Sequence, residues 1–214
     1  MKNLLLSIAF MFIPTMCLQT LAQPSTVIST SVATEVHIPT VNQRGMVQDK
    51  GGNLIAIYSY LPSGATNREL GFFKSTDMGT TWALLTTAPD FAGMNSQKDG
   101  SIVMSADGTK IHCVWIAETS ASSANESLHY GVFNLVTETW IPGSVEELYR
   151  NTTGQKALIP DIALYQCPGE RELPVIAYFR SNYWESFINY KIDNSSWYVA
   201  TPTMGMPSST YDFF

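Results

Sequence analysis

The sequence predicts an all-β chain of four-stranded antiparallel sheets, three blades of a β-propeller, and two observations carry that expectation. The first is a period. Trp82, Trp140 and Trp197 stand 58 and 57 residues apart, and a fixed spacing of this size is the signature of a repeat architecture. The second is what lies between the tryptophans. Short β-branched and aromatic runs alternate with turn residues, and no useful length has helical periodicity.

Each repeat reads as strand, Gly-rich turn, strand, polar loop, strand, tight turn, strand. The innermost strands centre near Val41, Ile102 and Ile162. The turns that follow are Asp49-Lys50-Gly51-Gly52-Asn53, Ala106-Asp107-Gly108-Thr109 and Cys167-Pro168-Gly169-Glu170. Second strands begin at Leu54, Ile111 and Val175, and third strands run through Leu70–Phe73, Leu128–Phe133 and Phe187–Tyr190. The tryptophans then open the outer strands. Blades are expected at about 34–90, 91–150 and 151–200. A two-sheet sandwich also uses short strands and turns, but it does not predict this recurrence.

The first 22 residues read as a signal peptide. Lys2 supplies the positive charge, Leu4 to Met16 the apolar stretch, and Thr20-Leu21-Ala22 the small residues of a cleavage site. Cys17 raises a lipoprotein alternative, but Met16 precedes it where a small residue is wanted. The expectation is a secreted, extracytoplasmic protein with no membrane association after cleavage, because no later segment is long and apolar enough to span. Residues 23–214 then form the partial propeller.

Eighteen acidic residues against twelve basic give a formal charge of −6, which argues against a nucleic-acid partner. Charged residues are only 14 % of the chain and aromatics 12 %, a packed rather than disordered composition. Cys113 falls within a strand and Cys167 at a turn. They can form one disulfide, but that register favours free thiols. No cysteine framework or zinc spacing is present, and neither metal nor cofactor is expected.

The segment Ser75-Thr76-Asp77-Met78-Gly79-Thr80-Thr81-Trp82 matches the Asp-box, or BNR repeat, at every fixed position: Ser75, Asp77, Gly79, Thr81 and Trp82. The residue types suit a turn. Asp77 can accept backbone N–H groups, Gly79 can take a positive φ, and Trp82 can bury its ring beneath the hairpin. Later copies at Asn134–Trp140 and Ile192–Trp197 keep the tryptophan and a preceding hydroxyl but lose the glycine. Through this motif the chain resembles the sialidase-like propellers, where the Asp-box is structural and faces away from the active site.

Val36-His37-Ile38-Pro39 also resembles the Arg-Ile-Pro opening of a sialidase first blade, with His37 in place of the arginine. In that family the arginine joins a cluster of three that holds the substrate carboxylate, and imidazole offers no bidentate equivalent. The family's acid/base aspartate lies in the loop between second and third strands of the first blade. Here that loop, Ser59 to Glu69, has no aspartate; Arg68 and Glu69 are its charges. The nucleophilic tyrosine and last arginine of the family come from late blades, so no catalytic residue is assigned.

The resemblance implies glycan or polysaccharide as partner and, if the chain is active, a glycoside hydrolase. Ligand-binding candidates are His37, Arg68, Asp99, Asp161, Arg180 and Trp184. Asp99 and Asp161 lie near innermost strands, and Arg180 and Trp184 sit in an aromatic–basic cluster suited to sugar stacking. Each has a structural alternative: strand-end solvation for His37, Asp99 and Asp161, a solvated loop charge for Arg68, and loop packing for the last two. Two other readings stand beside this one: a non-catalytic binding or scaffold propeller, and a polysaccharide lyase or other glycosidase on the same blades. Three blades leave open edges. The expectation is an incomplete copy, with two copies closing a six-bladed ring as the alternative.

Overall fold

The computed structural model describes residues 33–37, 45–90, 94–119, 126–151, 157–167, 171–180, 185–192 and 196–201. Within them the chain forms three antiparallel sheets, and no helix occurs. The first holds β1 (Ala33–His37), β2 (Met46–Gln48), β3 (Leu54–Pro62), β4 (Glu69–Ser75) and β5 (Ala83–Thr87). The second holds β6 (Ser96–Met104), β7 (Lys110–Glu118), β8 (Glu126–Asn134), β9 (Thr139–Trp140) and β10 (Glu146–Arg150). The third is β11 (Ala157–Cys167), β12 (Arg171–Arg180), β13 (Glu185–Lys191) and β14 (Trp197–Ala200). These are three blades of a partial propeller.

Two sheets count five strands because one strand of each is broken in two. In the first, β1 and β2 both pair with β3, on either side of residues 38–44; the expected strand centre at Val41 lies outside the described residues. In the second, β9 and β10 both pair with β8. The break there is chemical. Pro142 has no N–H to donate and Gly143 turns at φ 74°. The Ser144 side chain fills the gap, accepting from Val132 N at 3.1 Å and donating to Val132 O at 3.2 Å.

Strand alternation gives each sheet two apolar faces, as buried propeller blades require. Ile55, Ile57, Leu70 and Phe72 of the first sheet meet Ile111, Cys113, Trp115 and Phe133 of the second. The second sheet's other face, Val114, Ile116, Leu128 and Tyr130, meets Ile162, Ile176, Tyr178 and Phe187 of the third. Cys113 is a buried free thiol, and burial pushes its pKa up.

The repeat tryptophans join sheets. Trp140 packs on Phe72 and donates its indole N–H to Thr87 O of the first sheet at 3.0 Å. Trp197 packs on Tyr130 and donates to Glu146 of the second at 2.8 Å. Trp82 alone bonds within its own turn, to Gly79 O at 3.1 Å. The hairpin-bound ring expected for the repeat therefore describes Trp82; the later two clamp the preceding blade.

The Asp-box turn is tied as its residue types require. Asp77 accepts from Thr81 N at 2.8 Å, Thr81 Oγ1 at 2.6 Å and Ser75 Oγ at 2.8 Å, and Gly79 takes φ 89°. The hydrogen bond from the Thr81 hydroxyl, then that from its amide, hold the Asp77 carboxyl down at about 2. In the second copy Asn134 Oδ1 replaces the carboxylate, accepting from Val136 N and Thr137 N, and Glu138 takes the positive φ of 51°.

Candidate ligand site at the loop end

β3, β7 and β12 all run toward the end of the molecule from which β4, β8 and β13 return. The long connections sit at that end, and the tight turns, including the Asp-box, at the other. Of the candidates named from sequence, Arg68, Asp99, Asp161 and Arg180 belong to the loop-end half. His37 ends β1 opposite Ser59, but its side chain lies outside what the structure describes. Trp184 lies outside the described residues altogether.

Arg68 is wedged between the first two sheets. Its N–H donates to Ser96 Oγ at 3.3 Å and its carbonyl accepts from Gln97 N at 2.9 Å. Asp99 is half-buried at φ 45° in a bulge of β6, between Lys98 and Ser101. β11 bulges likewise between Leu158 and Asp161. Asp161 accepts from Ser101 Oγ at 2.7 Å and from Ile162 N at 2.9 Å, so its carboxylate links the innermost strands of two blades.

Arg180, the last residue of β12, lies with its guanidinium carbon 4.2 Å from the Tyr149 ring centroid and 3.8 Å from that of Phe187. Nη2 reaches Tyr178 Oη at 3.4 Å. Burial, ahead of the opposing hydrogen bond from Arg180, raises the Tyr178 hydroxyl's pKa. Cation–π contacts to rings of two sheets fix this guanidinium in place.

Sequence reasoning missed the most charged cluster at this end. Lys98 Nζ sits 2.5 Å from Glu118 Oε1 and 2.7 Å from Glu126 Oε1. The glutamates face each other across β7 and β8 at the mouth of their connecting loop, and both are almost wholly buried. Burial, ahead of the opposing ion pair, raises the Glu118 pKa. Burial also works against the Lys98 ammonium, but its hydrogen bonds to both carboxylates prevail and raise its pKa. The available signal was two glutamates flanking one loop; their meeting with Lys98 depends on the β6 bulge, which no local pattern announces.

Gln97 completes the local frame. Its Oε1 accepts from Leu70 N at 3.0 Å, and Nε2 donates to Ala88 O at 3.0 Å, Pro89 O at 3.1 Å and Asp90 Oδ1 at 3.2 Å. One buried amide thus sews the first blade to the second beside Arg68 and Lys98. Among the described residues no group of three His, Cys, Asp or Glu side chains is placed to hold a metal.

No family model matches the sequence, and no curated protein matches it. Solved structures do resemble the fold. An α-L-arabinofuranosidase from Fusarium graminearum superposes with TM-score 0.54 at 13 % identity, over 79 % of this chain and 52 % of that one. An ulvan lyase, a polysaccharide lyase, superposes with TM-score 0.50 at 11 % identity, over 72 % of this chain and 42 % of that one. The chain thus spans about half the length of the structures it matches. At these identities the likeness is one of fold.

Proposed function

We propose that this chain belongs to an exported, sialidase-like Asp-box propeller that recognises glycan at its loop end. The observation carrying this reading is Arg180. Its guanidinium faces are fixed on Tyr149 and Phe187 and Nη2 is directed at Tyr178; among the described residues Nη1 has no partner, and we read it as a pre-positioned donor for a sugar hydroxyl or carboxylate. A side chain ordered before binding loses little freedom when the ligand arrives. The fold shared with two carbohydrate-active enzymes supports a carbohydrate partner, the Asp-box supports the sialidase-like assignment, and the N-terminal pattern supports export.

Recognition is favoured over hydrolysis by the state of the carboxylates. A glycosidase needs one carboxyl group free to protonate the leaving oxygen and a second facing the anomeric carbon. Glu118 and Glu126 are instead closed onto Lys98 and shielded from solvent. A glycan array probed with the mature protein, beside a fluorogenic sialoside assay, tests the reading. Binding without turnover, weakened about tenfold in a folded Arg180→Met variant, is the expected result. Failure of the folded protein to bind any glycan overturns it in favour of a scaffold, and sialoside turnover overturns the limit to recognition.

A further inference from the structure

At the turn end, opposite Arg180 and Lys98, a cleft of about 850 Å³ opens between the second and third blades. That size lies within the range of small-molecule sites. Val132, Ile141, Pro142 and Pro174 supply an apolar wall, and apart from Ala106 and Gly143 the other lining residues carry polar side chains. Glu146 is neutralised by Lys191 at 2.7 Å and also accepts from Trp197. Asp107 Oδ1 holds the Ser105 and Thr109 groups of its own turn. Glu172 accepts from Ala106 N, bridging the blades across the cleft. Against these anchored groups stand several with bonding capacity to spare. Gln166 is exposed at the rim, and among the described residues Lys110 makes no ion pair and the second oxygens of Asp107 and Glu172 accept no hydrogen bond. His112 bonds through Nδ1 to Tyr130 Oη at 2.7 Å, leaving its other ring nitrogen toward the cleft it lines. Asn189, on the same face of β13 as Lys191, lies behind the lining rather than in it; it is 1 % exposed with both ends of its amide unbonded among the described residues.

We propose that this cleft is a second ligand site, specific for an uncharged sugar. Three carboxylates against two ammonium groups, with a neutral imidazole between them, give no net attraction to phosphate or to a uronate. A purely apolar ligand would strip water from the Lys110 ammonium and the second oxygens of Asp107 and Glu172 without replacing its hydrogen bonds. Sugar hydroxyls donate and accept at once, which matches donors and acceptors set side by side, and the C–H face of a pyranose suits the proline and isoleucine wall. The inference does not rest on the loop-end reading. Titration of ¹⁵N-labelled mature protein with D-glucose, D-galactose, L-arabinose and lactose tests it, with glucuronate and inorganic phosphate as charged controls. At least one neutral sugar is expected to shift the amides of residues 106–112, 141–146 and 189–191 saturably. Lys110→Met and, in case that variant fails to fold, the exposed Gln166→Ala should each weaken binding about fivefold. Absence of a saturable shift, tighter binding of either charged control, shifts confined to the loop end, or unchanged affinity in the folded variants would each overturn the proposal.

Discussion

Replacing Gln97 with leucine keeps the side chain's bulk and removes its amide, so the substitution isolates what four hydrogen bonds contribute. The wild-type side chain is 1 % exposed. Leucine leaves Leu70 N–H and Ala88 C=O without their side-chain partner, both in residues buried at the interface of the first two sheets. Each buried group so orphaned costs about 1–3 kcal/mol. The two together give about 4 kcal/mol, with the bonds to Pro89 and Asp90 adding little because those residues reach solvent. For a chain of this size that corresponds to a loss of roughly 8–16 °C in Tm. In urea it is a midpoint shift of about 2 M, taking a slope of about 2 kcal/mol per molar. Urea unfolding followed by tryptophan fluorescence measures it. A folded Gln97→Leu protein within about 0.5 kcal/mol of wild type would refute the reasoning, since the amide would then not be the seam between the blades.

Three further outcomes follow from the same contacts. The Asp77 carboxyl is held at about 2, first by the Thr81 hydroxyl, so its contribution is present above the ordinary carboxylate range and lost as pH falls through about 2. Thermal midpoints of wild type and Asp77→Asn should differ above pH 5 and converge toward pH 2. Lys98→Met strands Glu118 and Glu126 in a buried site and should cost about 3–5 kcal/mol at pH 7. The added change of both glutamates to glutamine should recover much of that loss in denaturant melts, and a triple variant no better than the single would contradict the pairing. His112 and His129 are both pushed down to about 4, chiefly by burial. Between the unfolded value near 6.5 and pH 4 each should subtract up to about 1.4 kcal/mol per pH unit as pH falls. NMR titration of the imidazole resonances checks the cause, and midpoints near 6.5 would contradict it.

The fold was legible because a propeller repeats its chemistry. Tryptophans at a near-constant interval, each preceded by two apolar runs, define strand order without reference to any distant contact. The Asp-box turn was legible for a related reason, since its hydrogen bonds all fall within the eight residues from Ser75 to Trp82. What one repeat cannot disclose is its relation to the next. Trp140 and Trp197 look like Trp82 in sequence, yet they bond to the preceding sheet and Trp82 does not. The bulges at Asp99 and Ile159 were equally hidden. They decide that Lys98 meets two glutamates and that Asp161 meets Ser101, although both strands read as ordinary apolar runs. Arg180 was picked out for its aromatic company, and that company proved to include Tyr149 from another blade.

The central claim is that successive sheets stack face to face, each tryptophan of the later two gripping the sheet before it. Nuclear Overhauser contacts from the indole of Trp140 measure this directly. The account predicts cross-peaks to Phe72 and to Thr87 or Ala88 of the first blade. Contacts confined to Trp140's own hairpin, with none to the first sheet, would contradict it.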